Sequence, residues 1–427
     1  MHKHVEENML SVETALSKVL ELVDPLEPEL SSIQNTLGQV LFEDITSDIS
    51  LPPFDNSAMD GYAVQSSDTS TASKISPVLL KVVGEVPAGE MPKHSVSPGT
   101  AIRIMTGAPV PKGANAIVPF EETDENDRVN KMEEISEINI TTPSTPNTHI
   151  RPAGQDLLRG TTVLRKGTHL RPPDISIIAS IGIDKVRVIR RPIVSILSTG
   201  NELIEPGLPP GKGLIYDSNS YGLAAEVKRA GGIPNILGIA GDNMDAINYK
   251  IDQSLSSDML ISSAGVSKGD YDMVKNVLAL RGKIEFWSVR MRPAKPFAFG
   301  LIKVSRDKYI PHLGLPGNPV SSMVAFTQFG KAAIRKMMGL PHSDMPTVEA
   351  ILEDGIENLD GRRVYARVVV TKRDGIYYAK STGHQGSNIL TSMVFANGLA
   401  ICPEHVNHMN AGEKVSVQML DWEESFF

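Results

Sequence analysis

The stretch SSAGVSKGDYD, residues 262–272, has the composition of a ligand-binding loop between a strand and a helix. An apolar run, residues 259–261, precedes it, and a helical pattern follows it. Gly265 and Gly269 allow the backbone to approach a ligand, and the next helix would point its first N–H groups at an anion. The aspartates at its end suit a hard cation. An ordinary turn with an aspartate cap is the alternative for this stretch alone.

Outward from this loop, strands and helices alternate between about residue 186 and residue 338. The predicted strands are Ile193–Leu197, Ile236–Ile239, Met259–Ile261, Ile284–Met291 and Ile310–Leu313. The predicted helices are Ser220–Ala230, Ala246–Leu255, Met273–Leu280 and a helix over about 320–338. Such a βαβ series predicts a parallel sheet with helices on both faces.

Each unusual loop of this region follows a predicted strand. The loops are STGNE at 198–202, GDN at 241–243, SSAGVSKGDYD at 262–272, RPAKP at 292–296 and LPGNPVSS at 315–322. Because the carboxyl ends of the strands line the ligand crevice of such sheets, the loops are predicted to converge on one site.

The charged side chains of these loops are carboxylates and cations, namely Glu202, Asp242, Asp270, Asp272, Lys268, Arg292 and Lys295. Oxygen ligands without histidine or cysteine favour Mg²⁺ over zinc or copper. Cations beside the helix start at Pro319 favour phosphate or another oxyanion. The site is therefore predicted to bind a phosphorylated or nucleotide-like ligand with Mg²⁺. Neither GxxxxGK[ST] nor GxGxxG occurs, which counts against a P-loop and against a dinucleotide site.

The flanking regions are mainly β-rich. Residues 78–120 alternate apolar and polar positions between glycine and proline turns, and Thr106 would stand on a tight turn at a strand end. Asp60 lies in the turn-rich stretch 51–64, where a plain surface turn is the alternative to a site. Residues 341–427 predict a small β-barrel or sandwich. Its polar loop at 381–388 suits either an oxyanion nest or a hairpin connection.

Composition limits the function classes. The chain has 427 residues and a net charge of −8, so nothing attracts it generally to nucleic acid. Its one cysteine, Cys402, excludes an intrachain disulfide and is predicted to be a core residue. No signal peptide and no apolar stretch long enough to span a membrane are evident, which predicts a cytoplasmic protein without a membrane partner.

Taken together, the motifs resemble those of the molybdopterin molybdenumtransferase family, which includes MoeA and the E domain of gephyrin. They follow the family order from about residue 51 to 399. The stretches that carry the resemblance are LPPFDNSAMDGYAV, GEVPAGE, IRIMTGAPVPKGANAIVPFEET, STGNELIEPG, SSAGVSKGDYDMV, MRPAKPFAFG, LPGNPVSSMVAF and STGHQGSNILTSMVFANGL.

The resemblance implies a multidomain α/β plus β protein, with a parallel-sheet α/β/α molybdopterin-binding domain, two β-rich domains and a small C-terminal β-barrel. The implied divisions are a linker and dimerisation domain over 1–50 and 145–176, a β-rich domain over 51–144, the molybdopterin-binding domain over 177–338 and the barrel over 339–427. It also implies a homodimer with its active site at the subunit interface.

The reaction implied by the resemblance inserts molybdate into adenylylated molybdopterin in the presence of Mg²⁺, releasing AMP and molybdenum cofactor. The upstream donor would be a molybdopterin adenylyltransferase. Carried over by motif, the catalytic residues are Asp60, Thr106, Asp242, Asp272 and Lys295. The implied substrate-binding residues are Gly265, Ser267, Gly269, Pro316, Pro319, Arg367 and Ser387. The implied magnesium ligands are Glu202, Asp242 and Asp272.

Four positions depart from the usual family pattern: Asn201, Ala264, Lys268 and Ile389. The first three would retune the pterin-phosphate pocket, and the last affects the molybdate end. Three alternatives stay open, namely a molybdopterin adenylyltransferase, a gephyrin-like scaffold without catalysis, and an enzyme that takes tungstate instead of molybdate.

Overall fold

The computed structural model describes residues 9–130, 135–209, 211–264, 273–306, 308–341 and 345–420. Within these residues the chain divides into two compact units. Unit 1 takes its residues from 1–43, 166–175 and 185–427, and unit 2 takes its residues from 44–165 and 176–184. Unit 2 therefore interrupts unit 1 in sequence. The finer division into four domains stays a prediction.

The N-terminal elements of unit 1 are strand β1 (Met9–Leu10), helix α1 (Val12–Glu21) and strand β2 (Pro28–Ser32). Helix α1 begins where it does because the Oγ of Ser11 accepts a hydrogen bond from the N–H of Thr14 at 3.1 Å. The apolar face of α1 is buried in the main hydrophobic core of unit 1.

Unit 2 is built around one sheet with apolar clusters on its two faces. Its elements are β3 (Ile45–Thr46), β4 (Asn56–Ser57), β5 (Gly61–Val64), β6 (Val78–Val86), β7 (Thr100–Ile104), β8 (Ala116–Pro119), α2 (Glu125–Asn130), β9 (Glu137–Ile140), β10 (Ile150–Arg151) and β11 (Thr162–Leu164). The sheet order is β8-β5-β7-β6-β9. Because β5 and β7 pair with Gly61 opposite Ile104, the residues flanking those two ends come together.

The predicted α/β architecture is confirmed in unit 1. Helix α3 (Pro172–Ser180) begins in a segment of unit 1 and ends in a segment of unit 2. The elements of unit 1 that follow it are β12 (Lys185–Ile189), β13 (Ile193–Thr199), β14 (Leu203–Ile204), β15 (Ile215–Tyr216), α4 (Asn219–Arg229), β16 (Ile233–Ala240), α5 (Met244–Asp252), β17 (Met259–Ser263), α6 (Met273–Arg281), β18 (Gly282–Val289), β19 (Met291–Arg292), β20 (Pro296–Lys303), β21 (Tyr309–Leu315), α7 (Pro319–Ala325) and α8 (Lys331–Met337). The sheet runs β1-β18-β20-β21-β17-β13-β16, and β13, β16, β17 and β21 are parallel. No helix of the described residues is long and apolar enough to cross a membrane.

Two features of unit 1 differ from the prediction, one in the sheet and one in a helix. Strand β20 was not predicted, and it pairs antiparallel with both β18 and β21. The backbones of β18 and β20 approach so closely that a Cβ on Gly300 would lie 2.0 Å from the carbonyl oxygen of Lys283. The helix expected over 320–338 is divided between α7 and α8 by a π-helical turn at Phe326–Gly330.

The C-terminal part is a closed barrel, as one of the two alternatives predicted. Its elements are β22 (Thr347–Leu352), β23 (Ile356–Glu357), β24 (Arg363–Arg373), β25 (Ile376–Ser381), α9 (Thr391–Val394), β26 (Gly398–Cys402), β27 (His408–Met409) and β28 (Lys414–Met419). Among the described residues, the strands close in the order β24-β25-β22-β28-β26 and back to β24. Cys402 is a free, fully buried residue of the barrel core, as predicted.

Candidate functional site

The parallel strands of unit 1 end level with one another, and this places their loops at one edge of the sheet. Thr199 at the end of β13 pairs with Ala240 at the end of β16, and Ser263 of β17 pairs with Leu315 of β21. A cavity of about 420 Å³ opens at this edge. Its walls include Thr199, Glu202, Asn219, Ser263, Ala264, Pro296, Pro316 and Asn318. We call it the strand-end cavity.

Asn219, a residue that the sequence analysis missed, ties two walls of the strand-end cavity together. Its Nδ2 donates to the Oγ of Ser263 at 2.6 Å and to the carbonyl oxygen of Gly317 at 2.7 Å. The end of β17 and the LPGNPVSS loop are therefore held at a fixed separation. The signal in the sequence was the polar Asp-Ser-Asn stretch that leads into α4.

The carboxylates of Glu202 and Asp242 are both exposed at this edge. That of Glu202 lies over Gly200, where an added Cβ would come within 2.5 Å of Glu202 Oε2. Asp242 and Asn201 make a reciprocal pair. The N–H of Asn201 donates to Asp242 Oδ2 at 3.2 Å, and the N–H of Asp242 donates to Asn201 Oδ1 at 3.0 Å. The asparagine at 201, one of the positions that depart from the family pattern, thus joins the STGNE and GDN loops by hydrogen bonds.

Among the residues that the structure describes, no group of three or more His, Cys, Asp or Glu side chains is arranged to hold a metal ion. Mg²⁺, however, is usually held by one or two carboxylates together with substrate phosphates. Glu202 lines the strand-end cavity, and Asp242 is hydrogen-bonded to Asn201, the residue before Glu202. These exposed oxygen donors fit Mg²⁺ in chemistry.

Several predicted positions lie outside the described residues: Gly265, Ser267, Lys268, Gly269, Asp270 and Asp272. The residue just before them, Ala264, has a φ of 83°, in the left-handed region that favours glycine. Ala264 also lines the strand-end cavity. Alanine at this position therefore places a strained backbone in the wall of the site.

A second cavity, of about 490 Å³, is lined mainly by residues of the barrel. We call it the barrel cavity. Arg292 and Arg367 line it together with the exposed acidic residues Asp354 and Glu357. Arg367 is only 1% exposed. Burial lowers the pKa of its guanidinium to about 10, so it stays protonated at neutral pH.

Two bridges connect the barrel cavity with the strand-end cavity. In the first, Asn318 Nδ2 donates to Ser387 Oγ at 3.0 Å, and the N–H of Val320 donates to the Ser387 carbonyl at 3.2 Å. The second is the RPAKP loop, whose Arg292 lines the barrel cavity and whose Pro296 lines the strand-end cavity. The LPGNPVSS loop is thereby in contact with the STGHQGSN loop, whose Gly383 and Gln385 line the barrel cavity.

The remaining predicted residues of these loops have defined places. Lys295 of the RPAKP loop is half-buried, and its backbone carbonyl accepts a hydrogen bond from the N–H of Val289 at 2.8 Å. Pro316 is a buried wall residue of the strand-end cavity, and Pro319 is the first residue of α7.

In unit 2, Asp60 and Thr106 come together although 46 residues separate them. The N–H of Thr106 donates to Asp60 Oδ1 at 2.6 Å, and this bond holds the pKa of the Asp60 carboxyl below its ordinary value. Both residues are exposed. Asp55, the other aspartate of this stretch, accepts from the N–H of Ala153 at 2.7 Å and so fastens the backbone.

Comparison with known proteins matches the chain along most of its length. Residues 10–182 match the family model of the MoeA N-terminal region, domains I and II. Residues 195–336 match the model of a probable molybdopterin binding domain, and residues 349–420 match the MoeA C-terminal region, domain IV.

Individual relatives cover nearly the whole chain. Molybdopterin molybdenumtransferase 2 of Mycobacterium tuberculosis is 38% identical over 416 residues, which are 96% of this chain and 99% of that protein. Gephyrin of Dictyostelium discoideum is 32% identical over 97% of this chain and 62% of its own length. Two crystal structures of the molybdopterin biosynthesis MoeA protein from Pyrococcus horikoshii match with TM-scores of 0.78 and 0.73 at 31% identity. They cover 97% and 96% of this chain and 100% of theirs. This chain belongs to the molybdopterin molybdenumtransferase family.

Proposed function

We propose that this chain inserts molybdate into adenylylated molybdopterin, with release of AMP, and so completes the molybdenum cofactor. The observation that carries the proposal is the pair of bridged cavities. The strand-end cavity offers carboxylates and hydrogen-bonding loops, which suit a phosphorylated ligand together with a hard cation. The barrel cavity offers buried and half-buried guanidinium groups, which suit an oxyanion. A reaction that joins a phosphorylated pterin to molybdate needs both.

The residue roles in this proposal are those that the family resemblance implies. Gly265, Ser267, Gly269, Pro316 and Pro319 would bind the adenylylated pterin, and Arg367 and Ser387 would bind molybdate. Glu202, Asp242 and Asp272 would hold Mg²⁺, which on binding would offset the negative charge of the pyrophosphate. Lys295 would stabilise charge that develops on the phosphate. Asp60 and Thr106 stay proposed catalytic residues, with Asp60 kept ionised by its bond to Thr106.

The matches outside the α/β part favour insertion over adenylyl transfer. A molybdopterin adenylyltransferase would need only the α/β part, whereas residues 10–182 and 349–420 of this chain also match MoeA models. We further propose that the chain acts as a cytoplasmic homodimer that receives its substrate from a molybdopterin adenylyltransferase. The oxyanion is molybdate in this proposal, with tungstate as the alternative.

The test is to incubate the purified chain with adenylylated molybdopterin, Mg²⁺ and either molybdate or tungstate. AMP release and the activation of an apo-molybdoenzyme are measured. We expect both with molybdate, and we expect neither when Mg²⁺ is removed with a chelator. Accumulation of adenylylated molybdopterin from ATP would instead support the adenylyltransferase, and a folded chain with no turnover would support the scaffold.

Asp242→Asn tests the proposed magnesium site in the same assay. The variant keeps an acceptor for the N–H of Asn201 but removes the charge, so we expect AMP release to fall by about 100-fold or more. Asp245→Asn is the matched control, because Asp245 is an exposed aspartate in the first turn of α5. Equal loss in both variants would show that the charge at Asp242 has no special role.

A further inference from the structure

The guanidinium of Arg367 is buried without a carboxylate partner in the described part of the chain. Its hydrogen bonds there go to neutral groups, from Nε to the Oγ of Ser392 at 3.1 Å and from Nη2 to the carbonyl of Gly386 at 3.1 Å. Buried charges in proteins are normally paired, and an unpaired one calls for an anion from outside. Arg367 lines the barrel cavity, so the anion would enter from there.

The fold uses only part of the hydrogen-bonding capacity of Arg367. A guanidinium carries five N–H groups, and the two bonds above leave Nη1 with no acceptor among the described residues. The backbone of Arg367 is fixed as well. Its N–H donates to Gln385 Oε1 at 2.8 Å, and its carbonyl accepts from Gln385 Nε2 at 3.1 Å. The free edge of the guanidinium is therefore held in one orientation.

Ser392 sets that orientation and is itself fixed. Its side chain is 2% exposed, and its hydroxyl donates to the carbonyl of Ile389 at 2.6 Å, which leaves an oxygen lone pair for Arg367 Nε. We propose that Ser392 is a positioning residue for the oxyanion, acting through Arg367. The inference rests on the proposed function, which assigns molybdate to this cavity. The family departure at Ile389 leaves this arrangement intact, because only its backbone carbonyl takes part.

The loss of Ser392 should weaken the oxyanion site rather than the chemistry. Without the hydroxyl, Nε has no acceptor, and the bond from Nη2 to the carbonyl of Gly386 is left to orient the guanidinium toward the cavity. We expect Ser392→Ala to raise the Kd for molybdate by about tenfold, the range in which hydrogen bonds to charged groups act. In the AMP-release assay, the KM for molybdate should rise while kcat and the KM for adenylylated molybdopterin stay unchanged.

Titration calorimetry with molybdate gives the Kd without reference to turnover. Thr391→Ala is the matched control, because it removes an exposed hydroxyl from the same helix, α9, and should bind like the unaltered chain. Ser392→Cys is the second variant, in case the alanine variant fails to fold. It keeps the side-chain volume but offers a poorer acceptor, so its Kd should also rise.

The outcomes separate the two proposals. If the unaltered chain binds molybdate and Ser392→Ala and Ser392→Cys bind it equally well, Ser392 has no positioning role. If the serine variants lose affinity but the unaltered chain releases no AMP from adenylylated molybdopterin, the positioning role stands and the proposed function fails. A fall in kcat with no change in the KM for molybdate would also contradict positioning.

Discussion

At the scale of single residues, Ala264 combines a cavity wall with an unfavourable backbone. A left-handed φ costs a residue with a Cβ about 1–2 kcal/mol. Glycine avoids that cost but loses about 0.4–1 kcal/mol through the greater freedom of the unfolded chain. We therefore expect Ala264→Gly to raise the free energy of unfolding by about 1 kcal/mol, measured in urea.

Ala298→Gly is the control for this prediction. Ala298 is fully buried in the regular strand β20, where glycine brings its entropic cost and also removes a buried methyl group. That variant should be less stable by about 1–2 kcal/mol. A loss of stability in both variants would mean that the backbone at Ala264 is not strained.

His312 is the second residue with a measurable signature. It is fully buried in β21, and Nε2 shares a hydrogen bond with the Oγ of Ser262 at 2.9 Å. Burial lowers the pKa of His312 to about 3. As the pH falls below about 6.5, the unfolded chain binds a proton that the folded chain does not bind, so stability is lost toward acid at up to about 1.4 kcal/mol per pH unit.

We expect His312→Gln to remove this contribution while keeping a hydrogen-bonding side chain beside Ser262. Between pH 6.5 and pH 5 the unaltered chain should lose about 2 kcal/mol that the variant retains. Urea unfolding at the two pH values measures the difference. His405→Gln, at an exposed histidine, should keep the full pH dependence. The same pH dependence in the unaltered chain and both variants would show that His312 does not cause the loss of stability toward acid.

At the scale of elements, the strand-end cavity depends on the tie between β17 and the LPGNPVSS loop. Asn219→Ala removes both bonds of that tie, so the loop should no longer hold a fixed position. We expect the KM for adenylylated molybdopterin to rise by about tenfold, the effect of one or two lost hydrogen bonds.

The matched control is Asn235→Ala on the same sheet. Asn235 Nδ2 also donates to a serine hydroxyl, that of Ser195 at 3.0 Å, but near the opposite ends of β13 and β16. This variant should lose comparable stability and keep its KM. If both variants raise the KM equally, general loosening of the sheet explains the effect.

The elements that follow a regular pattern were predictable from the sequence. Strand β17 is predicted at 259–261 and ends two residues later, and α4 is predicted from Ser220 and begins at Asn219. Strand β20 was not predictable from the sequence, because its pairing depends on the close backbone approach at Gly300, which no local pattern encodes. The turn at Phe326–Gly330 was missed for a related reason, since one extra residue in a turn leaves the apolar spacing nearly unchanged.

For the site, the sequence indicated the loops but not the contacts between them. The strand-end loops could be placed at one edge because parallel strands share a direction. The bond between Thr106 and Asp60 depends on the pairing of β5 with β7. The contact between Ser392 and Arg367 joins residues of α9 and β24 that are 25 positions apart, so it appears only in the folded chain.

At the scale of the whole molecule, each unit has its own hydrophobic core, so we expect two unfolding transitions in urea. Ile102 is buried in the core of unit 2, and Phe326 is buried in the core of unit 1. Ile102→Ala and Phe326→Ala should each shift the transition of their own unit, by about 2–5 kcal/mol.

Tryptophan fluorescence separates the two transitions. Unit 1 contains Trp287, and residues 44–165 and 176–184 contain no tryptophan. The transition seen by tryptophan emission should therefore shift in Phe326→Ala and stay unchanged in Ile102→Ala. Circular dichroism should detect the shifts in both variants. A single transition, shifted alike in both signals by either variant, would contradict separate unfolding.

The long sequence separation within unit 1 has a consequence during synthesis. Lys336 Nζ donates to the carbonyl of Leu20 at 2.7 Å, across 316 residues, and Leu26 N–H donates to the carbonyl of Met337 at 2.8 Å. At roughly 5–20 residues per second, the ribosome needs about 15–60 s after α1 to synthesise α8, which carries these partners. The apolar side chains of the α1 segment therefore stay uncovered on the nascent chain for that time, and its 10 residues are too few to form a stable helix alone. This makes α1 a natural target for chaperones, and a segment prone to pair wrongly between neighbouring chains on one messenger RNA.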